Sequence, residues 1–143
     1  MNENEREAVR WYLQGAKDSK TAEKNAAAGD FEVSCFLFHQ AAEKVLKAFL
    51  CLHGEEALAG HSTARLAVRC GKHDEGFLSL AEACSALDLF YLPTRYPYAL
   101  PEGVPYEYFT LDHAQQAMDS FQAVYRAVYD AFKDLTEHVS RER

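Results

Sequence analysis

The segment from Phe31 to Leu52 constrains the fold more than any other. Read at helical spacing, its polar positions 32, 39, 40, 43, 44 and 47 fall into one sector, with Phe36 and Leu50 inside it. The remainder is almost wholly apolar, so most of the circumference must be buried. His39, Gln40, Glu43, Lys44 and Lys47 then need partners, because polar groups enclosed by protein are hydrogen-bonded. They either bond across a subunit interface or line a site. A helix with this much apolar surface has more to hide than the neighbours in a small bundle readily cover, which predicts a symmetric homodimer.

The flanking sequence reads as helices. The first is expected over residues 4–28, with Ala8, Val9, Tyr12, Leu13, Ala16, Ser19 and Ala22 on one face, and Gly29-Asp30 ends it and caps the next. Gly54 and Gly60 bracket a short connection. Ser62 caps a third helical region, which falters between Gly71 and Gly76 and resumes through Phe77, Leu80, Ala81, Cys84, Leu87 and Tyr91. Residues 92–109 hold all four prolines and five aromatics, Tyr96, Tyr98, Tyr106, Tyr108 and Phe109, predicting a long ordered loop whose aromatics pack into the core. Thr110 caps a last helix whose Ala114, Ala117, Met118, Phe121, Val124, Tyr125, Val128, Ala131, Phe132 and Leu135 keep a 3.6-residue period, before a tail expected to fray from Ser140. No stretch alternates as a strand. The expected architecture is all-α: an antiparallel up-and-down four-helix bundle with an extra short helix and a long ordered loop before the last helix, in one domain spanning residues 1–143.

The formal charge of −7 and pI near 5.3 argue against broad electrostatic attachment to nucleic acid or to an anionic membrane, so any contact with phosphate must be local. Cys35, Cys51, Cys70 and Cys84 lie on apolar helical stretches without paired spacing and read as buried free thiols. The start, Met1 to Arg6, lacks the basic residues and apolar run of a signal peptide, and no stretch approaches a membrane span; a soluble cytoplasmic protein is expected. Glycine-rich phosphate loops, serine-nucleophile elbows and zinc-protease motifs are all missing, so no catalytic residue, metal ligand or cofactor is assigned.

Arg95 is the only positive charge between Lys72 and Arg126, and the prolines on either side would hold its guanidinium in place. Its fork suits a phosphate, or it ties the loop to a carboxylate or to helix-end carbonyls; position alone leaves both open. His39 and Glu43 lie one turn apart, a spacing that suits metal ligands, yet no second paired histidine motif completes a site. Lys44 and Lys47 could contact phosphate, or could pair along the helix as Gln40 with Lys44 and Glu43 with Lys47.

Taken together, His39-Gln40-Ala41-Ala42-Glu43-Lys44-Val45-Leu46-Lys47-Ala48, then His61-Ser62, then Tyr91 to Pro97 with its Arg-Tyr-Pro, resemble the HEPN family of prokaryotic helical domains. Trp11-Tyr12-Leu13 with Ala16-Lys17-Asp18 sits where that family opens, so the resemblance covers nearly the whole chain. It implies a dimer, and a partnership with a minimal nucleotidyltransferase in a toxin-antitoxin-like pair. Many members cleave RNA without a metal, through an Arg followed after four to six residues by a His. This chain departs from that spacing: no histidine follows Arg95 within range, and Arg69 and His73 stand too close. The resemblance therefore implies a non-catalytic accessory protein that binds a nucleotide or an RNA phosphate, with Arg95, Tyr91, Tyr96, His39, Gln40, Glu43, Lys44, Lys47 and His61 as ligand-binding candidates. The alternatives are an endoribonuclease toxin in which Arg95 works with His39 or His61, and a purely structural interaction module.

Overall fold

Local chemistry sets each helix boundary. In the computed structural model, which describes residues 1–56 and 58–142, the side chain of Asn2 accepts a hydrogen bond from Glu5 N at 2.8 Å and starts α1, Glu3–Ala27. Gly29 stops it at a φ of +87°, a left-handed conformation that suits glycine. The chain reverses within three residues into α2, Phe31–Leu52. The two helices run antiparallel: Asn4 reaches Cys51, Gly15 meets Ala41 and Val45, and Asp18 pairs with Lys44. At Gly15 the helices approach so closely that a Cβ would lie 2.8 Å from Val45 Cγ1 and 3.0 Å from the Ala41 carbonyl.

Ser62 caps α3, Thr63–Gly71, accepting from Arg65 N at 3.2 Å. Asp74 then caps a 3-10 turn over Glu75–Leu80, which leads directly into α4, Ala81–Asp88. Between α4 and the last helix lie a 3-10 turn, Pro97–Ala99, and a single-turn helix α5, Pro105–Tyr108, each beginning at a proline. The last helix, α6, spans Leu111–Glu142. At its start Thr110 N donates to His113 Nδ1 at 3.0 Å while Thr110 Oγ1 accepts from His113 N at 3.5 Å, a reciprocal cap with histidine in the place usually taken by Glu or Gln. No strand occurs among the described residues, and no helix of theirs is long and apolar enough to cross a membrane.

The core centres on α2, which packs against α1, α3 and α6. Phe38, Val45, Leu46 and Leu50 meet Phe77, Leu87 and the expected stripe of α6, of which Ala114, Ala117, Phe121, Val124, Val128 and Phe132 are buried and Met118, Tyr125, Ala131 and Leu135 partly so. All four cysteines are buried free thiols, and burial pushes Cys35 and Cys70 up to about 12.

Helix α2 finds its cover within one chain: 14 of its 22 residues are buried, His39, Glu43 and Lys47 among them, so a homodimer does not follow from a bare face of this helix. One expectation needs correction: the proline-rich loop does not pack as expected. Phe109 enters the core, whereas Tyr96, Tyr98, Tyr106 and Tyr108 are 42%, 76%, 69% and 49% exposed. Elements of one turn are too short to turn several side chains toward one face.

Candidate functional site

The polar sector of α2 is enclosed by the segments that flank α3 and α4. Asp88, the last residue of α4, acts as a hub. Its Oδ1 accepts from Thr63 N at 2.7 Å, Thr63 Oγ1 at 2.8 Å and His39 Nε2 at 3.2 Å, and its Oδ2 accepts from Ser62 Oγ at 2.8 Å and Ala64 N at 3.2 Å. The carboxylate thus closes the N-terminus of α3 and binds it to α2, where the unpaired N–H groups and the helix dipole favour negative charge. Burial alone would raise the pKa of Asp88, but the bonds from His39, Thr63 and Ser62 outweigh it and hold this carboxyl well below its ordinary range.

One turn along α2, Lys47 Nζ donates to Glu43 Oε2 at 3.1 Å, with both side chains 6% exposed, and lies 5.7 Å from the centre of the Trp11 ring. The other oxygen, Glu43 Oε1, takes a hydrogen bond from His61 Nδ1 at 2.9 Å. His61 is 54% exposed. A buried carboxylate that engages one imidazole nitrogen fixes the ring and leaves Nε2 as a free acceptor, the arrangement by which histidine serves as a general base. Nε2 has no partner among the described residues.

Tyr91 joins the two halves. Its ring stacks on His61, with centroids 4.8 Å apart and planes 20° from parallel, and meets the tilted ring of His39 at 5.2 Å. Arg95 Cζ lies 4.6 Å from the centre of Tyr91, 4.3 Å from Phe36 and 5.0 Å from Tyr96, and Tyr96 stacks on Tyr98 at 5.7 Å. Arg95 Nε donates to the Tyr91 carbonyl at 2.9 Å. That bond fulfils the loop-tying role in part. No carboxylate among the described residues pairs with the guanidinium, whose terminal nitrogens remain uncommitted on a bed of three rings.

Seven of the nine sequence candidates therefore share one run of contacts, from Lys47 through Glu43, His61, Tyr91 and His39 to Arg95 and Tyr96. Gln40 stands at its edge, with Oε1 3.2 Å from His39 Nδ1. Lys44 does not join. Instead of pairing with Gln40 it turns to α1 and forms an ion pair with Asp18, a buried carboxylate that also accepts from Gln14 Nε2 at 2.7 Å. A full negative charge on the facing helix outcompetes a neutral amide on the same one. Asp88 was missed, and Phe36, though placed in the polar sector, was given no role; the only hint of Asp88 is a lone acid within the apolar run Leu87 to Tyr91. Among the described residues, no group of three or more His, Cys, Asp or Glu is arranged to hold a metal ion.

The comparisons agree with this architecture. TT1696 from Thermus thermophilus, known from a crystal structure, is 32% identical, with a TM-score of 0.81 over 86% of this chain and 96% of that one. ST0689, described as an archaeal HEPN homologue, is 30% identical, with a TM-score of 0.71 over 87% of this chain and 96% of that one. None of the curated proteins matches. The HEPN domain model matches residues 8–135, nearly the whole helical assembly, and the chain belongs to the HEPN domain family.

Proposed function

We propose that the protein binds a nucleotide or a short unpaired RNA segment on the face formed by His61, Tyr91, Arg95, Tyr96 and Tyr98, as an accessory protein rather than as a catalyst. One observation carries the reading: the guanidinium of Arg95 is mounted on aromatic rings with its fork uncommitted, beside the exposed rings of Tyr96 and Tyr98. Unpaired bases stack on exposed aromatics, and an arginine fork donates two parallel bonds to a phosphate. Arg95 is the only cation from residue 73 to residue 125, a stretch with eight carboxylates, so the ligand carries few phosphates; a long polyanion would be repelled. Membership of the HEPN family supports a minimal nucleotidyltransferase as the protein it assists. Calorimetric titration with ATP and with a six-nucleotide RNA tests the binding. Affinity is expected to fall about tenfold or more in Arg95→Ala, the equivalent of one lost charge-assisted hydrogen bond. Equal affinity in a folded Arg95→Ala protein would dismiss the reading.

A second reading rests on the Glu43–His61 pair. Metal-independent RNA cleavage needs a base for the 2′-hydroxyl and a cation for the developing phosphorane, roles open to His61 Nε2 and Arg95. RNA cleavage that persists in EDTA and vanishes in His61→Ala would establish it.

A further inference from the structure

On the other side of the 89–110 connection an apolar cleft of about 390 Å³ opens between α4, the proline-rich loop and the start of α6, bordered by Leu89, Phe90, Leu100, Tyr108 and Phe109. The core residues Phe90 and Phe109 form part of its wall, and the aromatic site around Arg95 does not use it. Leu89, on its rim, is 71% exposed, and Tyr108 beside it is 49% exposed. Solvent-facing apolar side chains around an apolar hollow mark a surface that another molecule covers.

Two further hollows continue the cleft. Past Pro101 and Tyr108, which border both, lies one of about 500 Å³ carrying Glu102 and Glu107. Past Ala86 and Gln116, again shared, the groove between α4 and α6 carries Glu82 and Asp119. The result is one furrow with an apolar middle and two carboxylates at each end. None of the four forms an ion pair among the described residues. This charge is segregated: residues 73–125 hold eight carboxylates against one arginine and account for the whole formal charge of −7, leaving the rest of the chain neutral.

We propose that this furrow docks a segment of another protein in which apolar anchor residues are flanked on both sides by Lys or Arg. The apolar middle takes the anchors, and the paired carboxylates at the two ends receive the cations and set the register. Nucleic acid is disfavoured because its phosphates would face four unneutralised carboxylates. A second copy fits poorly as well: a two-fold contact through this face would set acid against acid, and the remainder of the chain offers no basic surplus to answer it.

The test uses the full chain and a phage-displayed library of random twelve-residue peptides. Enriched peptides are expected to carry apolar residues with Lys or Arg on either side, and to bind more weakly as salt rises. By fluorescence anisotropy their affinity should fall about tenfold in Leu89→Asp, an exposed position whose replacement leaves the fold intact by thermal melt. Charge reversal should weaken binding from either end, in Glu102→Lys with Glu107→Lys and in Glu82→Lys with Asp119→Lys. The proposal is overturned if no peptide is enriched, if enriched peptides show no basic bias, or if either reversal leaves binding unchanged. It also fails if light scattering shows a dimer that Leu89→Asp converts to monomer, since the occupant would then be a second copy.

Discussion

Arg95 holds two roles on different atoms. Its Nε ties the loop to the Tyr91 carbonyl, whereas its terminal nitrogens make no hydrogen bond among the described residues. Replacement by lysine should therefore separate them. Arg95→Lys keeps the charge but loses both the Nε bond and the planar fork, so it should bind nucleotide nearly as poorly as Arg95→Ala, with a stability loss of about 0.5 to 1.5 kcal/mol for one hydrogen bond. Calorimetry beside thermal melts reads both quantities; a lysine variant that binds like wild type would mean that charge alone suffices. Asp88 lends itself to a pH experiment. Its pKa in the folded chain is depressed, so its stabilising contribution is complete above the ordinary carboxylate value of 3.8 and is lost as the pH falls below it. Asp88→Asn should cost about 1 to 3 kcal/mol near neutrality. The gap to wild type, followed by denaturant melts, should close on acidification and not on going alkaline. Arg95 was legible in the sequence because proline and isolated charge are local signals. Asp88 was not, because its meaning depends on Ser62, Thr63 and His39, which only the fold brings within reach.

At the level of the helix, boundaries were legible to within a residue or two wherever a cap or a turn glycine marks them, as at Ser62, Thr110 and Gly29. The periodic stripe of α6 was equally plain. Phe121, buried there against Phe38, should cost about 3 to 5 kcal/mol on truncation to alanine, through lost apolar contact and the cavity left behind. Gly15 predicts the opposite kind of damage. Valine there would drive its side chain into Val45 and the Ala41 carbonyl, wedging α1 from α2, and a loss of about 1 to 3 kcal/mol, read from denaturant melts, is expected. No change would mean that the two helices cross less closely. The 92–109 connection was misread because aromatic content is a poor guide to burial where prolines divide the backbone into single turns. Its tyrosines face solvent for want of a face on which to gather.

For the whole molecule, the distribution of charge matters more than its total. The negative surplus lies in one stretch of sequence, and four of its carboxylates line the furrow, so a second copy is repelled where it would face that furrow. HEPN domains often dimerise, and a homodimer of this chain is expected to use another surface. Light scattering should then report the same mass for wild type and Leu89→Asp, read against the 16.1 kDa chain, at both low and high salt. The nature of the helical assembly was legible from amphipathic periodicity. The furrow was not, since it exists only where the end of α4 meets the start of α6.

The junction at Asp88 has a consequence in time as well as in space. Helices α1 and α2 are neighbours in sequence joined by a three-residue turn, so their hairpin closes a short loop and should form early. The bonds that converge on Asp88 span 24 to 49 residues and need α2, α3 and α4 already in register. They are expected to form late, after the barrier to folding has been crossed. Removing them in Asp88→Asn should leave the refolding rate nearly unchanged in stopped-flow measurements while unfolding accelerates, which makes this one carboxylate a latch on how long the folded molecule lasts.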